Sequence, residues 1–187
     1  MVYQVSKLAI KTAGKFLSSG AVIAYPTEAV WGLGCDPQNF QAVDRILRLK
    51  CRSVDKGLIL VVSCFSQVEQ LCRHLTQQQR ERLNAETNRP TTWLIPDPQN
   101  TFPYWIKGRY ESVAVRCIKH PLVEALCENF GAIVSTSANN SSGREIRSRL
   151  NIQKQYSETL DYILPGRVGV HSKPSQICDL VSGQVIR

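Results

Sequence analysis

Apolar residues recur along the chain with two different periods, and the switching between them lays out the elements. Over residues 6–18, Leu8, Ala9, Ala13, Phe16 and Leu17 fall on or near one helical face, and Gly20 follows as a stop. Residues 21–25 form a short apolar strand that Pro26 ends. A second helix follows Asn39, an acceptable cap, and turns Val43, Ile46 and Leu47 inward. Gly57 precedes a strongly apolar strand at 58–62, and helical patterns cover 67–74 and 77–85. Strands are predicted at 92–95, 112–116 and 132–135, with a helix at 121–129 between the last two. The final third offers strands at 161–164, 177–180 and 184–187, the last pair flanking Ser182 and Gly183. Helices and strands alternate imperfectly, which predicts an α/β fold with a mixed twisted sheet flanked by helices. No repeat, low-complexity tract or linker divides residues 1–187, so a single domain is expected.

Composition narrows the class. A chain of 187 residues, 43% apolar and 20% charged, can bury a core of its own. No apolar run approaches the roughly 18 residues a membrane span requires. The N-terminal residues lack a signal-peptide core, so a cytoplasmic protein without membrane contact is expected. Seven cysteines are scattered, odd in number and without a Cys-x-x-Cys pair, which argues for reduced thiols over a disulfide framework or zinc site. His74, His120 and His171 show no metal-ligand spacing. The net charge of +8 suits polyanions such as RNA or nucleotide phosphates, and equally suits a merely solubilising surface.

Candidate chemistry lies in four places. The run Tyr25-Pro26-Thr27-Glu28-Ala29-Val30-Trp31-Gly32-Leu33-Gly34 leaves a buried strand as a glycine-bearing loop, a common position for a ligand site and also for a plain turn. Lys50 falls inside the apolar stripe of its helix, with Arg52 and Lys56 just beyond. A lysine there is costly to bury unpaired, so it is expected to snorkel from the helix end into a cleft. Three such cations hold together around an anion, or lie apart on a solvated basic turn. Ser135, Ser137 and Asn139 share one side of an extended run that continues to Gly143, where hydroxyls and an amide can meet phosphate, ribose or carboxylate oxygens. Arg116 ends a strand on the face opposite Val113 and Val115, placed either to clamp a carboxylate or to make a surface ion pair. Phosphate-loop, dinucleotide-loop and nucleophile-elbow motifs are missing.

Taken in order, these segments resemble the YrdC family in its bacterial short form, over nearly the whole chain. The run from Tyr25 to Gly34 is similar to the family's opening motif, Lys50-x-Arg52 to its Lys-x-Arg pair and Ser137-x-Asn139 to its Ser-x-Asn pair. Val113-Ala114-Val115-Arg116 with His120-Pro121, and Lys173-Pro174-Ser175, fall where the family has similar segments. The resemblance implies a twisted sheet with a large basic concave cleft. It implies an activity too: L-threonine, bicarbonate and ATP, with Mg2+, give threonylcarbamoyl-AMP and pyrophosphate. Partner proteins would then carry the threonylcarbamoyl group to the adenosine beside the anticodon of tRNAs that read codons beginning with A.

By the same resemblance Arg52, Lys56 and Ser137 contact nucleotide phosphates, Lys50 helps to hold the anionic cavity, Asn139 steadies the nucleotide and Arg187 lies near it. Arg116, with Ser135 and Ser175, holds threonine, and Thr27 shapes the amino-acid end. Two departures stand out. Asn88-Arg89-Pro90 replaces a common Pro-Gly-Pro before Thr91 and Thr92, and Ser53 and Gly57 replace prolines after the Lys-x-Arg pair. The main rival is a non-catalytic RNA-binding or ribosome-maturation protein, although no recognisable RNA module is present. A third reading, the carbamoyl-phosphate-using domain of hydrogenase-maturation proteins, normally belongs to a much longer chain with zinc-finger and acylphosphatase-like parts.

Overall fold

The computed structural model describes residues 6–139, 145–169 and 175–187. Helix α1 (Lys7–Ser18) starts where the Ser6 hydroxyl accepts the Ala9 N–H, and it buries Ile10, Ala13 and Leu17. Strand β1 (Ile23–Pro26) turns directly into β2 (Trp31–Gly34), so the predicted loop is half strand. All four residues of β2 are buried, which removes the alternation that marks a half-exposed strand. Its glycines read as loop formers but answer to packing. A Cβ on Gly34 would lie 2.4 Å from the Val134 carbonyl oxygen and 2.7 Å from the Tyr25 ring.

Helix α2 (Phe40–Leu49) begins at Asn39, whose side chain accepts the Ala42 N–H at 3.0 Å. Strand β3 (Ile59–Val62) follows a 3₁₀ turn, Val54–Lys56. The helix predicted at 67–74 divides into a 3₁₀ turn (Phe65–Val68) and the single-turn α3 (Glu69–Cys72). Next come α4 (Gln77–Asn84), closed by a reciprocal cap between Thr76 and Gln79, and β4 (Thr91–Pro96). The remaining elements are α5 (Tyr104–Lys107), β5 (Ser112–Cys117), α6 (Pro121–Phe130), β6 (Ile133–Ser137), α7 (Arg149–Tyr156), β7 (Tyr162–Ile163) and β8 (Gln176–Asp179). Neither α5 nor α7 was predicted. The first is a single turn, and the second buries only Ile152 and Tyr156, too little for a stripe. Residues 184–187 form no full strand, yet they bond back to β8 through Asp179 N–H to Gln184, Ile186 N–H to Ile177 and Ile177 N–H to Arg187.

The strands join in the order β7-β1-β2-β6-β3-β5-β4-β8. β1/β7, β3/β5 and β4/β8 are parallel and the other pairs antiparallel, as a mixed sheet requires. On one face Leu60, Val62, Val113 and Val115 pack with Val43 and Ile46 of α2 and Leu71 of α3. On the other, Ile23, Tyr25, Val61 and Ile133 pack with Ile10 and Leu17 of α1 and Leu122 and Leu126 of α6. That second face also carries Ile59, Ala114 and Ser135, which are opposite one another across three strands, and there the covering helices give way to a cavity.

A buried ion pair steadies the turn between β4 and α5. Asp97 accepts N–H groups from Thr101 and Phe102 and the Thr101 hydroxyl at 2.7–3.0 Å, while Lys107 Nζ stands 3.4 Å from its second oxygen and also bonds Asn100. Burial alone would raise the Asp97 pKa, but the Phe102 and Thr101 donors and Lys107 outweigh it and hold it below the ordinary carboxylate range. Asp97→Ala is expected to lower the unfolding free energy by about 3–5 kcal/mol at pH 7, measured by urea denaturation. A carboxylate depressed in the folded state contributes fully above its unfolded pKa and loses that contribution as pH falls through the folded value. The gap between the two proteins therefore narrows below about pH 4.

Candidate active site

The uncovered sheet face is the floor of a cavity of about 760 Å3. Period-two alternation sends Ser112, Ala114 and Arg116 of β5 into it while Val113 and Val115 enter the core. The same rule brings Ser135 and Ser137 up from β6. Thr27, Arg52, Lys56, Asn139, Ser175 and Arg187 also line the wall, so residues from opposite ends of the chain converge. Of the site residues expected from sequence, Lys50 alone is not on the wall. Asn140, Ser141, Ser142, Gly143, Lys173 and Pro174 lie outside the described residues.

Lys50 stands apart from the other expected site residues. It caps α2, donating its backbone N–H to Ile46 at 3.0 Å, and the helical path keeps its side chain on the inward stripe. The residue is only 8% exposed and is not among those that line the cavity. Its side chain has no hydrogen-bond or ion-pair partner among the described residues, and burial, then the nearby Arg52 charge, lowers its pKa.

Arg52 follows Cys51, which holds a left-handed φ of 45°, and reaches over the next turn. Its Nε and Nη2 donate to the Gly57 carbonyl at 3.2 and 2.8 Å, and Nη2 also donates to Lys56 at 3.2 Å. Nη1 has no partner among the described residues. Burial lowers the Arg52 pKa; Tyr110 opposes that shift and Arg187 adds to it. The two departures after the Lys-x-Arg pair have local reasons. Ser53 caps the 3₁₀ turn through the Asp55 N–H, and Gly57 takes a φ of 59° against the Lys107 carbonyl, where a Cβ would come within 2.6 Å.

At the other end, the Thr27 hydroxyl donates to the Val30 carbonyl at 2.8 Å and so fixes the β1–β2 turn. Arg116 Nη2 stands 2.7 Å from Glu28 Oε2, a pair whose side chains are 16% and 6% exposed. The other Glu28 oxygen accepts the Lys119 N–H at 3.1 Å. Arg116 Nε is buried and unpartnered, a donor that a bound carboxylate would satisfy. Glu28 and Lys107 are wall residues absent from the sequence-based set. The signal for Glu28 was Arg116 itself, since a buried guanidinium requires a counter-charge. Asn139 Oδ1 accepts the Ile146 N–H at 2.7 Å, so part of this side chain secures the wall. Ser175 bonds Thr92 at 3.0 Å, and Thr92, fully buried, lies behind the wall.

Arg52, Lys56, Lys107, Arg116 and Arg187 thus face the cavity with two carboxylates, Glu28 and Glu145. Among the described residues neither cysteine nor histidine lines it, and no group of three potential metal ligands occurs. Such a wall can orient an anion and stabilise growing charge on phosphate oxygens; its described residues include no strong nucleophile.

The family model Sua5_yciO_yrdC, described as Telomere recombination, matches residues 15–187. The chain belongs to the Sua5/YciO/YrdC family. Within that family, a Pseudomonas fluorescens protein named threonylcarbamoyl-AMP synthase is 45% identical over 183 residues, 98% of each chain. A Pseudomonas aeruginosa protein of the same name is 46% identical with the same coverage. Among solved structures, P. abyssi Sua5 complexed with L-threonine superposes with a TM-score of 0.85 at 27% identity, over 95% of this chain and 52% of that one. The chain therefore spans about half of Sua5. E. coli YciO, at 21% identity and a TM-score of 0.79 over 97% of this chain and 89% of that one, shares the fold.

The unpaired charge at Lys50 should make the ligand-free protein less stable than its packing allows. Lys50→Met is expected to raise its unfolding free energy by about 0.5–2 kcal/mol. A lysine depressed in the folded state lets the unfolded chain bind more protons, so wild-type stability rises as pH climbs toward the ordinary lysine pKa. That rise should flatten in Lys50→Met, as read from thermal melts across the alkaline range.

Proposed function

We propose that this chain is a threonylcarbamoyl-AMP synthase, joining L-threonine, bicarbonate and ATP with release of pyrophosphate. The observation that carries the reading is near-full-length similarity to proteins of that name, at 45–46% identity. The cavity supports it chemically. The threonine amine captures carbon dioxide or bicarbonate, and a carbamate oxygen then attacks the α-phosphorus as pyrophosphate leaves. This sequence needs alignment and cations, which the wall supplies. The RNA-binding alternative has no comparable support.

In this reading Arg52, through its unpartnered Nη1, joins Lys56 and Ser137 on the phosphates, with Arg187 beside the nucleotide. Lys50 adds positive potential from behind the wall, and Asn139 holds the nucleotide side in shape. Arg116 presents its Nε edge to the threonine carboxylate while Glu28 fixes the other edge. Ser135 and Ser175 complete the amino-acid end, and Thr27 sets its turn. Magnesium arrives with ATP as part of the substrate, since the wall carboxylates are few and Glu28 is already paired. Separate tRNA-modification proteins would take up the product in the cytoplasm. No helix among the described residues is long and apolar enough to cross a membrane.

Purified protein given all three substrates and magnesium should yield threonylcarbamoyl-AMP by mass spectrometry, with none when threonine or ATP is omitted. Arg52→Ala should lower kcat at least about 100-fold, the scale for losing one preorganised donor at a developing charge. Wild-type turnover in that variant would remove Arg52 from the mechanism; no product from the wild type under any condition would remove the function.

A further inference from the structure

A second cavity, of about 420 Å3, adjoins the first at Glu28 and Pro90, and two thiols open onto it, Cys64 and Cys117. They come from neighbouring parallel strands. The register sets Val62 opposite Cys117, so Cys64 leaves β3 two residues beyond the partner of Cys117. Both lie on one side of the sheet by alternation. Leu60 and Val62 precede Cys64 on the face of the α2 core, and Val113 and Val115 precede Cys117 on the same face. Cys117 Sγ donates to the Ser63 carbonyl at 3.0 Å, which turns it toward the residue adjoining Cys64. Cys64 is exposed, Cys117 is partly buried, and Cys64 Sγ sits 2.9 Å from the Ser66 hydroxyl. Hydrogen bonds from Ser66 and then Ser63 lower the Cys64 pKa, whereas burial chiefly raises that of Cys117. An accessible thiol of lowered pKa beside a shielded one is the arrangement of an attacking and a resolving cysteine.

We propose that Cys64 and Cys117 form a dithiol site that a peroxide closes to an intramolecular disulfide. The Cys64 thiolate attacks one peroxide oxygen, the O–O bond breaks, and the released hydroxide takes a proton to become water, leaving a sulfenic acid. The Cys117 sulfur then attacks Cys64 Sγ and expels hydroxide, which leaves as water with the Cys117 proton. Two thiols are oxidised to one disulfide as hydrogen peroxide is reduced to two waters. Cys64 moves most, because it lies in the bend after β3, while Cys117 is fixed within β5. The cross-link falls one residue from Arg116. Resting on the proposed function, oxidation should therefore weaken threonine use.

The test treats the whole protein with hydrogen peroxide, blocks remaining thiols and maps peptides without reduction. A Cys64–Cys117 cross-link that dithiothreitol removes, and that is lost in both Cys64→Ser and Cys117→Ser, is the expected result. Cys64 found only as sulfinic acid, or pairing through the other exposed thiol, Cys51, would overturn the site. A parallel assay follows threonine-dependent adenylate formation. Oxidised wild type should show a several-fold higher KM for threonine, restored by dithiothreitol, while Cys64→Ser stays insensitive to peroxide. An unchanged KM with the cross-link formed would refute the coupling to Arg116 and leave the disulfide standing.

Discussion

Successive residues of a strand must point to opposite sides of the sheet, and both the core and the cavity rest on that constraint. Along β5 it separates Val113 and Val115, which enter the α2 core, from Ser112, Ala114 and Arg116, which meet the cavity. Along β3 it divides Leu60 and Val62 from Ile59 and Val61 in the same way. A slip of one residue in β5 would drive a guanidinium into the core and valines into the ligand space. The apolar packing of one face thereby fixes where polar groups stand on the other.

Electrostatics on the wall has two parts. Arg116 and Lys107 have carboxylate partners, Glu28 and Asp97, and owe their positions to the folded chain. Arg52 leans on backbone carbonyls, which position it without neutralising it, and Lys50 behind it has no counter-ion among the described residues. The excess positive charge is therefore concentrated where Lys50, Arg52 and Arg187 influence one another. A polyanion would relieve that repulsion, so the free protein carries a cost that binding removes.

Much of this was legible in the sequence because it depends on local period. The helical stripe located α2 and warned of Lys50, and strand alternation placed Arg116, Ser135 and Ser137 on the cavity side. Three kinds of feature were not legible. Strand β2 is buried on both sides and contains two glycines, so neither alternation nor β-propensity marks it. Helices α5 and α7 are too short or too exposed for an apolar stripe. Glu28 needed knowledge of its partner, 88 residues away at Arg116, and a pairing across that separation has no local signature. Lys50 stands on the inward stripe as the pattern implied and is not among the residues lining the cavity, since the pattern gives the direction of a side chain but not which surface it meets.

Ile146 is held through both of its backbone polar groups: its N–H by Asn139 Oδ1, and its carbonyl by the Trp31 N–H at 2.9 Å. The ends of the stretch between Asn139 and Ile146 are thus tethered to β6 and β2, whatever lies between them. Ile146 belongs to the apolar cluster of Trp31, Ala138 and Ile152, so the same two bonds that hold the cavity wall also tie α7 back to the sheet.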